Sequence, residues 1–237
     1  MLIPYLGDKS KFSQFIVPHI PPHKLYCEPF GGMFGLFLSS NLDSSPVIYN
    51  DINKYNSILF KFLKNKDFIN QIDRINITES LYETAKEKIY SNMDDFHKAI
   101  YWLIILTCAS NLHDVIGSKF KNSYEFDLFK IKYINLYSKI NKITNIESLD
   151  YKEVMLKYDS EDSFFYLDPP YYGKEHFYVN HNFKIDSHKD LSNFTKKIKG
   201  KVMISYYNFS GLSELYDGFK IESFRTLLGD ELLIMNY

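Results

Sequence analysis

Lys24-Leu25-Tyr26-Cys27-Glu28-Pro29-Phe30-Gly31-Gly32-Met33-Phe34-Gly35 is the stretch that decides the fold. Its first four residues form a short apolar run that reads as a strand, the proline and paired glycines end it, and Met33 to Ser40 can continue as a helix. Strand, glycine turn and helix in that order open an α/β sheet. Glycines at the carboxyl end of such a strand let the backbone approach a ligand closely, although the spacing here departs from the usual dinucleotide fingerprint. A second apolar run, Val47 to Tyr49, closes with Asn50-Asp51 and leads into a helical stretch from Asn53 to Lys66. Asp51 thus sits at the end of the next strand, about 20 residues on, where a carboxylate can accept both hydroxyls of a ribose.

Working outward, the alternation stops and later resumes. From Asp67 to Ser110 apolar residues recur at helical spacing, as in Phe96, Ile100, Leu103, Ile104 and Thr107, and strand signals vanish. A polar segment, Asn111 to Asp127, precedes another helical pattern from Leu128 to Lys142, with Phe129, Tyr133, Leu136, Tyr137 and Ile140 on one side. Strands are then expected at Thr144 to Ile146, Phe164 to Leu167, Val202 to Tyr206, Phe219 to Phe224 and Leu232 to Met235, with a helix near Ser187 to Lys199. The expected architecture is a parallel α/β sheet built from residues 1–53 and 144–237 and interrupted by a mainly helical insertion, residues 54–143.

The sharpest signal is Asp168-Pro169-Pro170-Tyr171, directly after the strand Phe164 to Leu167. Two successive prolines cannot continue a sheet ladder, so the chain leaves the strand in a stiff turn at the ligand edge and aims its polar and aromatic neighbours into a cleft. The alternative is an ordinary strand-terminating turn with a surface tyrosine. The residue types suit methylation of an aromatic amine, whose lone pair is delocalised into the ring. Hydrogen bonds from the amine to the Asp168 carboxylate and the Pro169 carbonyl favour a pyramidal nitrogen. They also preorganise acceptors for the positive charge that develops on it. Tyr171 can stack on a base rotated out of the duplex, worth on the order of 1 to 3 kcal/mol. A methyl donor with a built-in leaving group needs no metal, and none is implied.

These motifs together resemble the Dam-type family of adenine-N6 DNA methyltransferases, over nearly the whole chain. The resemblance implies a Rossmann-like methyltransferase sheet with helices on both faces, a helical target-recognition insertion, S-adenosyl-L-methionine as cofactor and double-stranded DNA as partner. Tyr5-Leu6-Gly7-Asp8-Lys9 is similar to the family's amino-terminal motif, which implies Tyr5, Gly7 and Lys9 near the cofactor's methionine end. Glu28, Pro29, Phe30, Gly31, Gly32 and Phe34 match its cofactor loop, and Asp51 with Ile52 its ribose-binding acid. The stretch Ile134 to Tyr137 followed by Glu147 to Val154 implies Asp150 and Tyr151 beside the cofactor adenine, and Asp168 shared between cofactor and catalysis. Ser187 to Leu191, Ser205 to Asn208 and Glu231 to Tyr237 echo later family elements. One region departs. The family's Asn-Gly and Arg-x-Asn segment is replaced by Asn111 to Phe120 without an arginine, and arginine is the usual reader of guanine, so no particular recognition sequence is implied.

Net charge is -1, which excludes a strongly basic protein whose overall field gathers nucleic acid. Locally, Lys119, Lys121, Lys130, Lys132, Lys139 and Lys142 face only Glu125 and Asp127, and Lys196, Lys197, Lys199 and Lys201 form a second cluster. Each cluster reads equally as a phosphate-contacting surface or a solvated helix face. Lys119, Lys121 and Asn122 are the candidate DNA contacts. His113, His176, His181 and His188 show no ligand pattern and read as surface or helix residues, and Trp102 as core. Two cysteines without paired spacing fit a reducing cytoplasm, and no apolar run is long enough to span a bilayer. No obligate protein partner is expected, and a cognate restriction enzyme, if there is one, acts separately. Rival readings are an RNA or protein amine methyltransferase and an inactive DNA-binding descendant.

Overall fold

The computed structural model describes residues 1–43, 46–178, 181–226 and 229–237. The seven strands expected from the sequence are β1 (Leu25–Glu28), β2 (Val47–Asn50), β3 (Ile143–Glu147), β4 (Ser163–Leu167), β5 (Lys201–Tyr207), β6 (Lys220–Thr226) and β7 (Gly229–Met235). They form one sheet in the order β3-β2-β1-β4-β5-β7-β6. The first five are parallel, while β7 runs antiparallel to β5 and β6 antiparallel to β7. Chain order reverses between β1 and β4, which pair at Cys27 and Phe165. At such a switch point the connections leave in opposite directions and open a crevice beyond the strand ends. The glycine turn after β1 and the Asp168 turn after β4 flank it.

The helices are α1 (Ser13–Ile16), α2 (Gly35–Ser39), α3 (Lys54–Leu63), α4 (Lys66–Ile72), α5 (Glu79–Lys88), α6 (Asp95–Cys108), α7 (Tyr124–Lys142), α8 (Tyr151–Tyr158), α9 (Ser187–Thr195) and α10 (Leu212–Leu215). Several start where a side-chain oxygen caps free backbone N–H groups. Asn53 accepts from Tyr55, Thr78 from Leu81, Asp94 from His97 and Asp150 from Lys152. The glycine turn shortens the expected helix after β1. Phe34 holds a left-handed φ of 56°, so α2 begins only at Gly35. The expected helix Leu128 to Lys142 begins earlier, at Tyr124, because Asn122 turns the backbone by accepting from Tyr124 N–H at 3.0 Å.

Strand residues alternate between two cores, as the pleat requires. Tyr26, Tyr49, Phe164 and Tyr166 face a large cluster shared with α2 to α7, while Cys27, Ile48, Phe165 and Leu167 face a smaller one with α8, α9 and α10. Both faces of a parallel sheet must be covered in this way. Within the 54–143 stretch, α3 packs against β3 and α6. Trp102 on α6 is fully buried, as expected, and donates from its ring nitrogen to Asn56 at 2.8 Å; Asn56 in turn donates to the Tyr5 hydroxyl at 3.0 Å. A buried polar chain therefore ties the helical stretch to the amino-terminal segment at the crevice. No helix among the described residues is long and apolar enough to cross a membrane.

Candidate active site

Close backbone approach, not flexibility alone, explains the glycines after β1. A Cβ on Gly31 would lie 2.6 Å from the Tyr49 ring and 2.8 Å from the Asn50 carbonyl oxygen, and one on Gly35 would collide with the Asp8 carboxylate. The turn is then pinned from β2. Asn50 donates to the carbonyls of Pro29 at 2.8 Å and Leu149 at 3.1 Å, and Tyr49 donates to that of Gly32 at 2.8 Å. Asp51 accepts N–H bonds from Gly32 and Asn53, both at 2.7 Å. Burial pushes the Asp51 carboxyl up to about 6, against the pull of those two donors.

A cavity opens beyond these turns. Its walls include Tyr5, Gly7, Lys9, Glu28, Pro29, Phe30, Gly31, Gly32, Asp51, Ile52, Asp150, Tyr151, Asp168 and Pro170. The structure thus brings together residues spread from position 5 to 170. Phe34 is buried beneath the turn and Pro169 behind the Asp168 turn, and neither lines the cavity. Lys119 and Lys121 are exposed outside it, beside a short bridge that pairs Ala109 with Phe120, and Asn122 is exposed next to them.

Sequence reasoning missed several wall residues. Asn53 and Asp8 line the cavity, as do Tyr178, His181 and Phe183 from the segment after the Asp168-Pro169-Pro170-Tyr171 turn. Phe30 stacks on Tyr151 at 5.3 Å and 27°, and Phe183 meets Phe30 edge-on at 5.7 Å, so three aromatics shape one end of the space. Among the described residues, three buried side-chain atoms that lack a hydrogen-bond partner belong to cavity residues, Asp8 Oδ1, Asn53 Nδ2 and the Tyr151 hydroxyl, and a fourth, Asp168 Oδ1, is met only by an ammonium. Buried polar atoms are normally satisfied, so a cluster of unsatisfied ones marks a place built for a polar ligand.

The other end is held by ions. The Lys9 ammonium lies 2.8 Å from Asp168 Oδ1 and 2.9 Å from Oδ2, bonding the latter, and 4.9 Å above the Tyr171 ring. Burial pushes the Asp168 carboxyl up to about 6, and Lys9 opposes that rise. Burial alone would lower the Lys9 pKa, but the carboxylates of Asp168 and Glu231 outweigh it and raise it. Glu28, deep in the same region, is pushed up to about 8 by burial, against the pull of hydrogen bonds from Tyr26 and the Phe37 N–H. Tyr171 is turned inward: its hydroxyl donates to Glu231, and its ring packs against Tyr206 and Tyr207. His188 lies on a helix as expected, but it is buried. Its ring nitrogens face the Tyr206 hydroxyl at 2.8 Å and Glu175 at 2.6 Å.

The profile of the D12 class N6 adenine-specific DNA methyltransferases matches residues 5–227. The chain belongs to that family. It is therefore a site-specific DNA methyltransferase that acts on the N6 amine of adenine, which favours DNA over the RNA and protein acceptors that the sequence left open. The type II methyltransferase M.MjaIII of Methanocaldococcus jannaschii is 28% identical over 98% of this chain and 97% of its own. The Rossmann-like fold implied by the sequence resemblance is the one observed, and the two motifs that announced it flank the switch point of the sheet.

Proposed function

We propose that the cavity binds S-adenosyl-L-methionine and that Asp168 receives the amine of an adenine flipped out of duplex DNA. The convergence of three buried polar atoms without partners, Asp8 Oδ1, Asn53 Nδ2 and the Tyr151 hydroxyl, with the Asp168 carboxylate on one cavity carries this reading. The donor set fits the cofactor chemically. Asp51 keeps lone pairs for ribose hydroxyls beyond its two backbone bonds, the Tyr151 hydroxyl and the Phe30–Phe183 aromatics suit an adenine, and Asp8 offers a negative charge for the amino group of a methionine end. When bound, the cofactor supplies an electrophilic methyl with its own leaving group.

The protein then has to orient and desolvate. Asp168 and the Pro169 carbonyl accept the amine hydrogens and favour a pyramidal nitrogen, Pro170 stiffens the turn, and Tyr171 offers a ring for the base once it turns outward. Flipping costs a few kcal/mol of pairing and stacking, and contacts such as these must return it. Residues 54–143 supply target recognition, with Lys119, Lys121 and Asn122 at DNA phosphates. The enzyme works in the cytoplasm. As the relative's type II designation suggests, its methylation would protect sites from a restriction enzyme that acts separately.

Incubation with labelled S-adenosyl-L-methionine and unmethylated genomic DNA, followed by nucleoside analysis and sequencing of modified positions, tests this. N6-methyladenine at a defined sequence is expected. Cofactor binding without transfer to DNA would contradict it.

A further inference from the structure

Lys9 poses a problem for the chemistry just assigned. Its ammonium lies against both the Asp168 carboxylate, 2.8 Å from Oδ1, and the Tyr171 ring, where the amine of the target must come. The adenine nitrogen gains positive charge as it is methylated, so a cation left in that position opposes the reaction both by occupancy and by repulsion. The ammonium needs another place to go.

The structure holds one. Glu231, the third residue of β7, is 1% exposed, and its Oε1 lies 3.7 Å from Lys9 Nζ, just outside hydrogen-bond length. It stands opposite Tyr207 on β5 and accepts the Tyr171 hydroxyl, so it is fixed by the sheet and borders both the lysine and the stacking ring. A shift of about 1 Å by a flexible lysine stem would turn the 3.7 Å contact into a charged hydrogen bond.

We propose that Glu231 is a positioning residue that draws the Lys9 ammonium off Asp168 as the target adenine arrives, and so frees Asp168 to accept the amine. Two buried carboxylates then share one fixed cation, which leaves one negative charge to balance the charge that develops on the adenine nitrogen. No group is consumed; Lys9 returns to Asp168 when the product base leaves. The inference rests on Asp168 being the amine acceptor.

Glu231→Gln tests it, because glutamine keeps an acceptor for Tyr171 and removes only the charge. With duplex DNA carrying the target site unmethylated, single-turnover methylation at saturating cofactor should fall about 100-fold, while affinity for S-adenosylhomocysteine stays within about threefold. With 2-aminopurine at the target position, the fluorescence rise that reports a flipped base should be lost. In a Lys9→Met background the same Glu231→Gln change should cost less than about threefold, since no cation remains to be moved. That background also serves if the single variant fails to fold, because the double variant removes a balanced pair of charges. The proposal is overturned if Glu231→Gln matches the wild type. It is equally overturned if Tyr171→Phe reproduces the whole defect, or if the cost is unchanged without Lys9. Failure of the wild-type protein to methylate adenine in the same assay would instead refute the underlying assignment.

Discussion

At the end of the cavity formed by the turns after β1 and β2, polar groups are fixed by backbone: Asp51 by two N–H groups, and Asn50 by two carbonyls. At the end formed by the turn after β4, they are fixed mainly by other side chains, with Lys9 on Asp168 as well as on the Gly7 carbonyl at 3.0 Å, and Glu231 on Tyr171. The first end cannot rearrange without unfolding a strand terminus, whereas the second rearranges by rotating side chains. Under the function we propose, the difference matches the tasks. A cofactor used every cycle gains from a preformed site, and a base that arrives only on the correct DNA gains from a site that its arrival completes.

The largest effect that would break this comparison is at the ionic end. Asp168→Asn keeps the shape but loses the charge, and the methylation rate should fall on the order of 1000-fold in a single-turnover assay. At the backbone end, Gly31→Ala forces a Cβ into the Asn50 carbonyl and the Tyr49 ring. Because backbone cannot step aside, cofactor affinity by calorimetry should drop on the order of 100-fold, with a lowered Tm.

Acid should weaken both ends together. Asp51 and Asp168 are each held near 6, and each must be ionised to accept hydrogen bonds, so protonation removes function as pH falls through that value. A plot of kcat/KM against pH should decline below about 6 by at least about tenfold per unit and level off above it. The smallest effect sharpens the contrast from a distance. Trp102→Phe leaves the Asn56 side-chain oxygen without its donor, costing about 1–3 kcal/mol in a denaturant melt. Through the Asn56–Tyr5 bond it should also weaken cofactor binding a few-fold, with the methylation rate at saturation unchanged.

Strands β1, β2 and β4 and the turns after them were legible because each is punctuated locally, by Gly31-Gly32, Asn50-Asp51 or Pro169-Pro170 at the end of an apolar run. Phe183 and Tyr178 were not, since they lie in a stretch with no apolar period, and only their contacts with Phe30 and Gly7 give them meaning. The Lys9–Asp168 pair joins positions 159 apart in sequence, a separation at which nothing local forecasts contact. Glu231 lay just before the strand expected at Leu232 to Met235 and was singled out only as the start of a stretch that echoes a later family element. Its burial follows from β7 inserting between β5 and β6, a strand order that no linear pattern reveals.

The division of the cavity into a preformed cofactor end and an ion-held base end is tested most directly by calorimetric binding of S-adenosylhomocysteine to the wild type, Asp51→Ala and Asp168→Ala. Affinity should collapse in Asp51→Ala and stay within about threefold of the wild type in Asp168→Ala. Equal loss in both variants would contradict the account, because the two carboxylates would then serve one undivided site.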